Sequence, residues 1–207
     1  MPLTYPLTLP TSGITSISWT NATSSLISKS PFSFQGQAQS YGGAIRHASI
    51  TVENLNRNQS EDWLGWLDSL HGTIGTFLFG DPVAALPMGS GAISNNPRFA
   101  GGGQTGDVIN LRGTANAATN WLVRGDWIQV GSGLQARLHK VTQNVTTTGT
   151  NTAVVNIWPA LRYSPANDAP ITIRNTVGLF RRSTGTYRYS ETNDCRYGLS
   201  FDIEEVI

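Results

Sequence analysis

Apolar and polar residues alternate with a period of two over residues 44–53 (AIRHASITVE): Ala48, Ile50 and Val52 fall on one side, Ser49, Thr51 and Glu53 on the other. That alternation predicts a strand with one face buried. The same signature closes the chain at 197–206 (YGLSFDIEEV), where Tyr197, Leu199, Phe201 and Ile203 oppose Ser200, Asp202 and Glu204. Between them lie shorter apolar runs at 73–79, 107–112, 121–130, 136–143, 152–158 and 169–174, each bounded by Gly, Asn or Thr turns. The five runs from 107 to 174, at such regular spacing, predict a small barrel. Its inner face would hold Ile109, Leu111, Ile128, Val130, Leu138, Val155 and Ile157. The first forty residues are rich in Pro, Ser, Thr, Gln and Gly, with one brief extended candidate at 14–19. They read as an arm or as loosely packed strands.

One segment has helical spacing instead. In 60–71 (SEDWLGWLDSLH), Trp63, Trp66, Leu67 and Leu70 stand at i, i+3, i+4 and i+7, a narrow apolar stripe. Ser60 is the expected cap, Glu61 and Asp62 would place negative charge in the first turn, and Gly72 would end the helix. The stripe is expected to close one face of a sheet.

Residues 80–106 break every periodicity and are dense in Gly, Pro and Asn, which marks a transition. The expected fold class is therefore all-β. A β-sandwich domain is built from both chain ends, 1–82 and 175–207, with one short helix, and 83–174 forms an inserted small barrel.

Composition narrows the function. The chain has 207 residues, of which only 13% are charged, and a formal net charge of +1. That charged share is roughly half of the usual one. A near-neutral chain lacks the cationic surplus that duplex nucleic acid demands. Lysine is confined to Lys29 and Lys140, and arginine supplies the other positive charges. Arginine suits interfaces, because its guanidinium is weakly hydrated and makes bidentate contacts. No apolar run is long enough to span a bilayer, and the N-terminal segment lacks the pattern of a signal peptide. The expected place of synthesis is a cytoplasm, so the Asn-X-Ser/Thr triplets at Asn21, Asn58 and Asn144 are read as chance matches.

No cluster has the spacing of a catalytic, cofactor or metal site, and none is assigned. His47, His71 and His139 are scattered, and Cys195 stands alone. Glu61 and Asp62 belong to the helix, and Glu204 and Glu205 to the tail of the last strand, so no paired carboxylates are placed for glycoside hydrolysis. Arg124-Gly125-Asp126 reads as a turn, and GGGQTG at 101–106, without a following Lys-Ser/Thr, as a flexible loop. The barrel tryptophans Trp121, Trp127 and Trp158 could instead form a stacking platform for sugars, which would make the chain a carbohydrate-binding, host-receptor module.

Several short pieces follow one another in a definite order. They are W-x-x-W-L-x-x-L from Trp63 to Leu70, Gly75-Thr76-Phe77, and Gln104-x-Gly106. Then follow Gly125-Asp126-x-Ile128-x-Val130, Lys140-Val141, Ile157-x-Pro159-x-Leu161, the GLFR strand at 178–181, and Tyr197-Gly198-Leu199-Ser200. In that order they resemble the distal tail proteins of long-tailed (siphovirus) bacteriophages, in their two-domain branch with an inserted barrel of the oligonucleotide/oligosaccharide-binding (OB) type. The resemblance covers about residues 44–207 and leaves the first forty outside it. It implies a structural virion protein at the tail tip, a homo-hexameric ring joining the tail tube to the baseplate hub, tape-measure and fibre proteins. It also implies a possible carbohydrate contact on the barrel, and it carries no catalytic residue with it.

Overall fold

The computed structural model describes residues 3–92, 96–194 and 196–207. Its elements are β1 (Leu7–Thr8), β2 (Ile14–Lys29), β3 (Gly36–Leu55), α1 (Arg57–Ser69), β4 (Thr76–Phe79), β5 (Arg98–Phe99), β6 (Val108–Arg112) and β7 (Trp127–Val130). They continue with β8 (Arg137–Val141), β9 (Thr152–Trp158), β10 (Ile171–Thr172), β11 (Gly178–Arg182), β12 (Arg188–Glu191) and β13 (Tyr197–Glu205). Among the described residues the chain is all-β with one α-helix, as its periodicities lead one to expect. It divides into two compact units: one runs up to Leu9 and then over Thr76–Phe180, the other comprises Pro10–Gly75 and Arg181–Ile207.

The first unit contains a barrel-like sheet in the order β10-β7-β8-β9-β6-β5. An antiparallel bridge between Arg98 and Pro170 brings its two ends together. Alternation along β6 and β9 sends Ile109, Leu111, Ala153, Val155 and Ile157 inward, where they meet Phe99, Ile128, Val130, Val141 and Ile171. Every inner-face residue expected from the sequence is buried, Leu138 included. Part of the 121–130 run is not a strand: Trp121 and Leu122 precede a turn, and Leu122 makes only an isolated bridge to Val145. Outside the barrel, β1 pairs in parallel with β4.

In the second unit β2, β3, β13 and β12 are neighbours in that order, all antiparallel. Leu199 faces Val52, Phe201 faces Ile50 and Ile203 faces Ala48, so both period-two segments put their apolar sides on one face. Helix α1 covers that face with Trp63, Trp66, Leu67 and Leu70, all buried. The Trp63 indole N–H also donates to the Ser12 carbonyl at 2.8 Å.

The helix begins three residues before the expected cap. Asn56 is the cap: its Oδ1 accepts from the Gln59 N–H, and the Gln59 Oε1 accepts from the Asn56 N–H, both at 3.0 Å. This reciprocal pair satisfies two end groups at once and outcompetes Ser60, whose hydroxyl is buried without a partner. Glu61 and Asp62 consequently lie beyond the first turn, which holds no acidic residue. His71 lies past the last turn at φ 47, followed by Gly72 at φ 75.

The larger departure is in the first forty residues. The 14–19 and 44–53 segments are parts of two much longer strands, β2 and β3, paired from Ile14 opposite Val52 out to Lys29 opposite Gly36. Their outer portions carry no alternation because neither face is buried there. Burial is what writes period two into a strand.

Candidate interaction surface

The outer part of the β2–β3 hairpin is the most distinctive surface of the second unit. Near its root β3 has a second neighbour, because β13 pairs with it over His47–Leu55. Beyond that point β2 and β3 have only each other. From Thr20 to Gly43 every residue but Ser30 is exposed. The root is pinned by Arg46, itself fully buried, whose Nε donates to Asn21 Oδ1 at 3.2 Å across the pair.

Two features separate this ribbon from an ordinary solvated hairpin. From Ile14 to Ile45 the only charged side chain is Lys29. Leu26, Ile27, Phe32, Phe34 and Tyr41 are all more than half exposed on it. Solvent-facing edges are commonly protected by charge, Pro or brevity. A two-stranded ribbon in water is also marginal on its own. This one is long, flat in charge and apolar at its end.

The residues weighed from the sequence are dispersed, and most are structural. His139 is buried, with Nδ1 2.7 Å from the Pro159 carbonyl oxygen. His47 is half-buried on β3, and His71 is exposed. Gly125 takes φ 105 in the Arg124–Asp126 turn. The buried Asp126 carboxylate accepts the backbone N–H of Val123 at 2.7 Å and of Met88 at 2.8 Å. The 101–106 loop does not hang free: the Gln104 amide donates to the carbonyls of Ala100, Gly101 and Asn110, and its oxygen accepts the Asn110 N–H. Asn144 Oδ1 accepts the Arg124 N–H. Glu61 and Asp62 are exposed, Glu204 pairs with Arg181 at 2.9 Å, and Glu205 is buried. Cys195 lies outside the described residues.

Trp121 is fully buried, Trp127 nearly so beneath the Lys140 ammonium at 4.6 Å, and Trp158 is half-buried. Buried rings cannot offer a face to a sugar, so Trp121 and Trp127 present none here, while Trp158 keeps part of its ring exposed.

One polar cluster escaped sequence reasoning. The Tyr187 hydroxyl donates to Asp68 Oδ1 at 2.8 Å, and the Arg182 guanidinium lies 5.0 Å from the centre of the Tyr187 ring. Desolvation pushes the Tyr187 phenol above its ordinary value, and the hydrogen bond to Asp68 adds to it. Desolvation likewise draws Arg182 below its ordinary value. The cluster ties the segment before β12 to the helix, and it involves residues 119 positions apart. No local pattern could have signalled it.

Among the described residues no group of three or more His, Cys, Asp and Glu could hold a metal ion. No helix there is long and apolar enough to cross a membrane. No protein-family model and no curated protein matches the chain.

Proposed function

We propose that this chain is a structural virion protein of the phage tail tip, a distal tail protein, forming a ring between the tail tube and the hub, tape-measure and fibre proteins. The observation that carries the reading is the β2–β3 ribbon: an ordered, almost uncharged surface held out from a packed unit. Its exposed stretch falls within the roughly 20–30 residues that a stable interface takes from each partner. In this reading the part built from 1–82 and 175–207 forms the ring, and 83–174 is the inserted barrel.

The sequence pieces that carry the resemblance support it. The Trp63–Leu70 motif forms the buried stripe of α1, Lys140-Val141 closes β8, and Tyr197–Ser200 opens β13. Pieces that give the resemblance are thus also pieces that build the fold. Low charge and a preference for arginine suit a subunit with neighbours on several sides. A homo-hexamer uses one heterologous contact repeated by rotation. Sedimentation and negative-stain microscopy of the purified chain test this: closed rings are expected, and a strict monomer at high micromolar concentration overturns it.

A further inference from the structure

The turn at the end of the hairpin is built to hold two phenyl rings in solvent. Ser30 is its pivot. Its Oγ accepts the backbone N–H groups of Phe32 and Ser33, each at 3.3 Å. Its carbonyl accepts the Phe34 N–H at 3.0 Å, and its own N–H donates to the Gln35 carbonyl at 2.9 Å. Phe32 is left 94% exposed and Phe34 81%. Phe34 also sits at φ 56, a left-handed backbone that is unfavourable for a bulky residue. An Asn-Gly turn would close the ribbon without strain. Backbone strain that presents an apolar group to water points to a contact made with something else.

The complementary half lies at the root of the same hairpin. The register of β2 against β3 slips between Thr23, opposite Ala44, and Ser25, opposite Ser40. Gly42 takes φ 72 there, and a Cβ on Gly43 would come within 3.1 Å of the Ser24 Cβ. At the slip lies a depression of about 370 Å³, lined by Ala22, Thr23, Ser24, Gly43, Ala44, Ile45 and Ile207. No charged side chain lines it. The tip of the same molecule cannot fill it. The paired strand from Ser24 to Lys29, at roughly 3.4 Å per residue, holds the tip on the order of 20 Å from its own root.

We infer that Phe32 and Phe34 at the hairpin tip of one copy seat in the root depression of a second copy, head to tail. This rests on the ring reading and names the contact that makes the ring. The occupant is another copy because tip and depression match in charge and chemistry, both being mostly apolar and without charged side chains. The exposed ribbon between them is also long enough for a stable interface. A contact of tip to root uses two different patches, so it repeats by rotation and can close.

The test compares the wild-type chain with a Phe32→Ser/Phe34→Ser variant by sedimentation across a concentration series. The midpoint of assembly should rise about thirtyfold, as on loss of a hot-spot anchor, with an unchanged thermal melt. In a Cys195→Ser background, chains carrying Ser33→Cys are mixed with chains carrying Ile207→Cys. A disulfide between the two is expected, and none with chains carrying Asp62→Cys. Rings that form equally well in the double variant, or assembled protein without that disulfide, overturn the docking and leave the ring reading standing. A wild-type chain that stays monomeric and yields no disulfide above the Asp62→Cys control overturns both. Should the double variant misfold, the disulfide pairing decides.

Discussion

The Trp63 ring lies 5.9 Å from that of Phe201, joining the only α-helix among the described residues to the last strand. Trp66 approaches the same ring at 6.1 Å and meets Trp63 edge to face at 5.7 Å. Three large rings thus fill the space between α1 and the sheet. Trp63→Ala and Leu67→Ala are each expected to cost about 2–5 kcal/mol, the range for emptying a packed core position. Urea unfolding checks this, and an effect near zero at both positions would mean that the stripe is not core.

The capping pair gives a sharper contrast. Asn56→Ala removes the acceptor for the Gln59 N–H and should cost about 1 kcal/mol. Ser60→Ala should be near neutral or slightly stabilising, because it deletes a buried hydroxyl that has no partner. The two melts, measured side by side, separate the true cap from the one that the sequence suggests.

How far the fold was legible follows from where residues are buried. Ala48, Ile50 and Val52 on β3, and Leu199, Phe201 and Ile203 on β13, show period two because one face meets the helix. Ile109, Leu111, Val155 and Ile157 show it because one face lines the barrel. The ribbon from Thr20 to Gly43 has no buried face within the chain, so its strands leave no periodic trace. Strand β12 escaped for the same reason, since Arg188–Glu191 is exposed throughout. The candidate surface was therefore visible in the sequence only as a composition, uncharged and polar. Its phenyl-bearing tip became legible once the strand pairing was known.

Trp121 tests the barrel interior. Its ring is fully buried and its indole N–H has no partner, so it acts through volume alone. Trp121→Ala should destabilise by about 3–5 kcal/mol. Trp121→Phe should cost distinctly less, because only part of the volume and no hydrogen bond is lost. Denaturant midpoints of the two variants check the order. A binding change without a stability change at Trp121→Ala would favour the stacking platform instead.

The Tyr187–Asp68 contact gives stability an alkaline limit. The Tyr187 phenol is raised above its ordinary value of 10.0, first by burial and then by donating to Asp68. A raised folded-state value means that the folded chain holds this proton more tightly than the unfolded chain does. The contribution is complete below pH about 10 and is lost as pH rises through the folded value. Tyr163 is raised as well, by burial, and adds in the same direction. Thermal melts from pH 9 to 11 should fall in the wild type. Tyr187→Phe should fall less steeply, and identical slopes would mean that the contact does not form.

The ribbon and the last strand should separate cleanly by truncation. Leu199, Phe201 and Ile203 are buried, and each contributes about 1.5–3 kcal/mol when fully removed from water. A domain stable by roughly 5–15 kcal/mol cannot lose all three, so deletion from Tyr197 onward should give insoluble protein. The ribbon is different, because its outer side chains bury almost nothing within the chain. Thr23 and Ala44 are directly opposite each other, so residues 24–43 can be excised and the ends joined by Asn-Gly, a turn that fits two paired strands. The shortened chain keeps every pair from Ile14 to Thr23, the Arg46–Asn21 bond and the whole helix interface. Its melting temperature should stay within a few degrees of wild type while its assembly is lost. If excision instead unfolds the chain, the ribbon belongs to the core and cannot be a surface reserved for a neighbour.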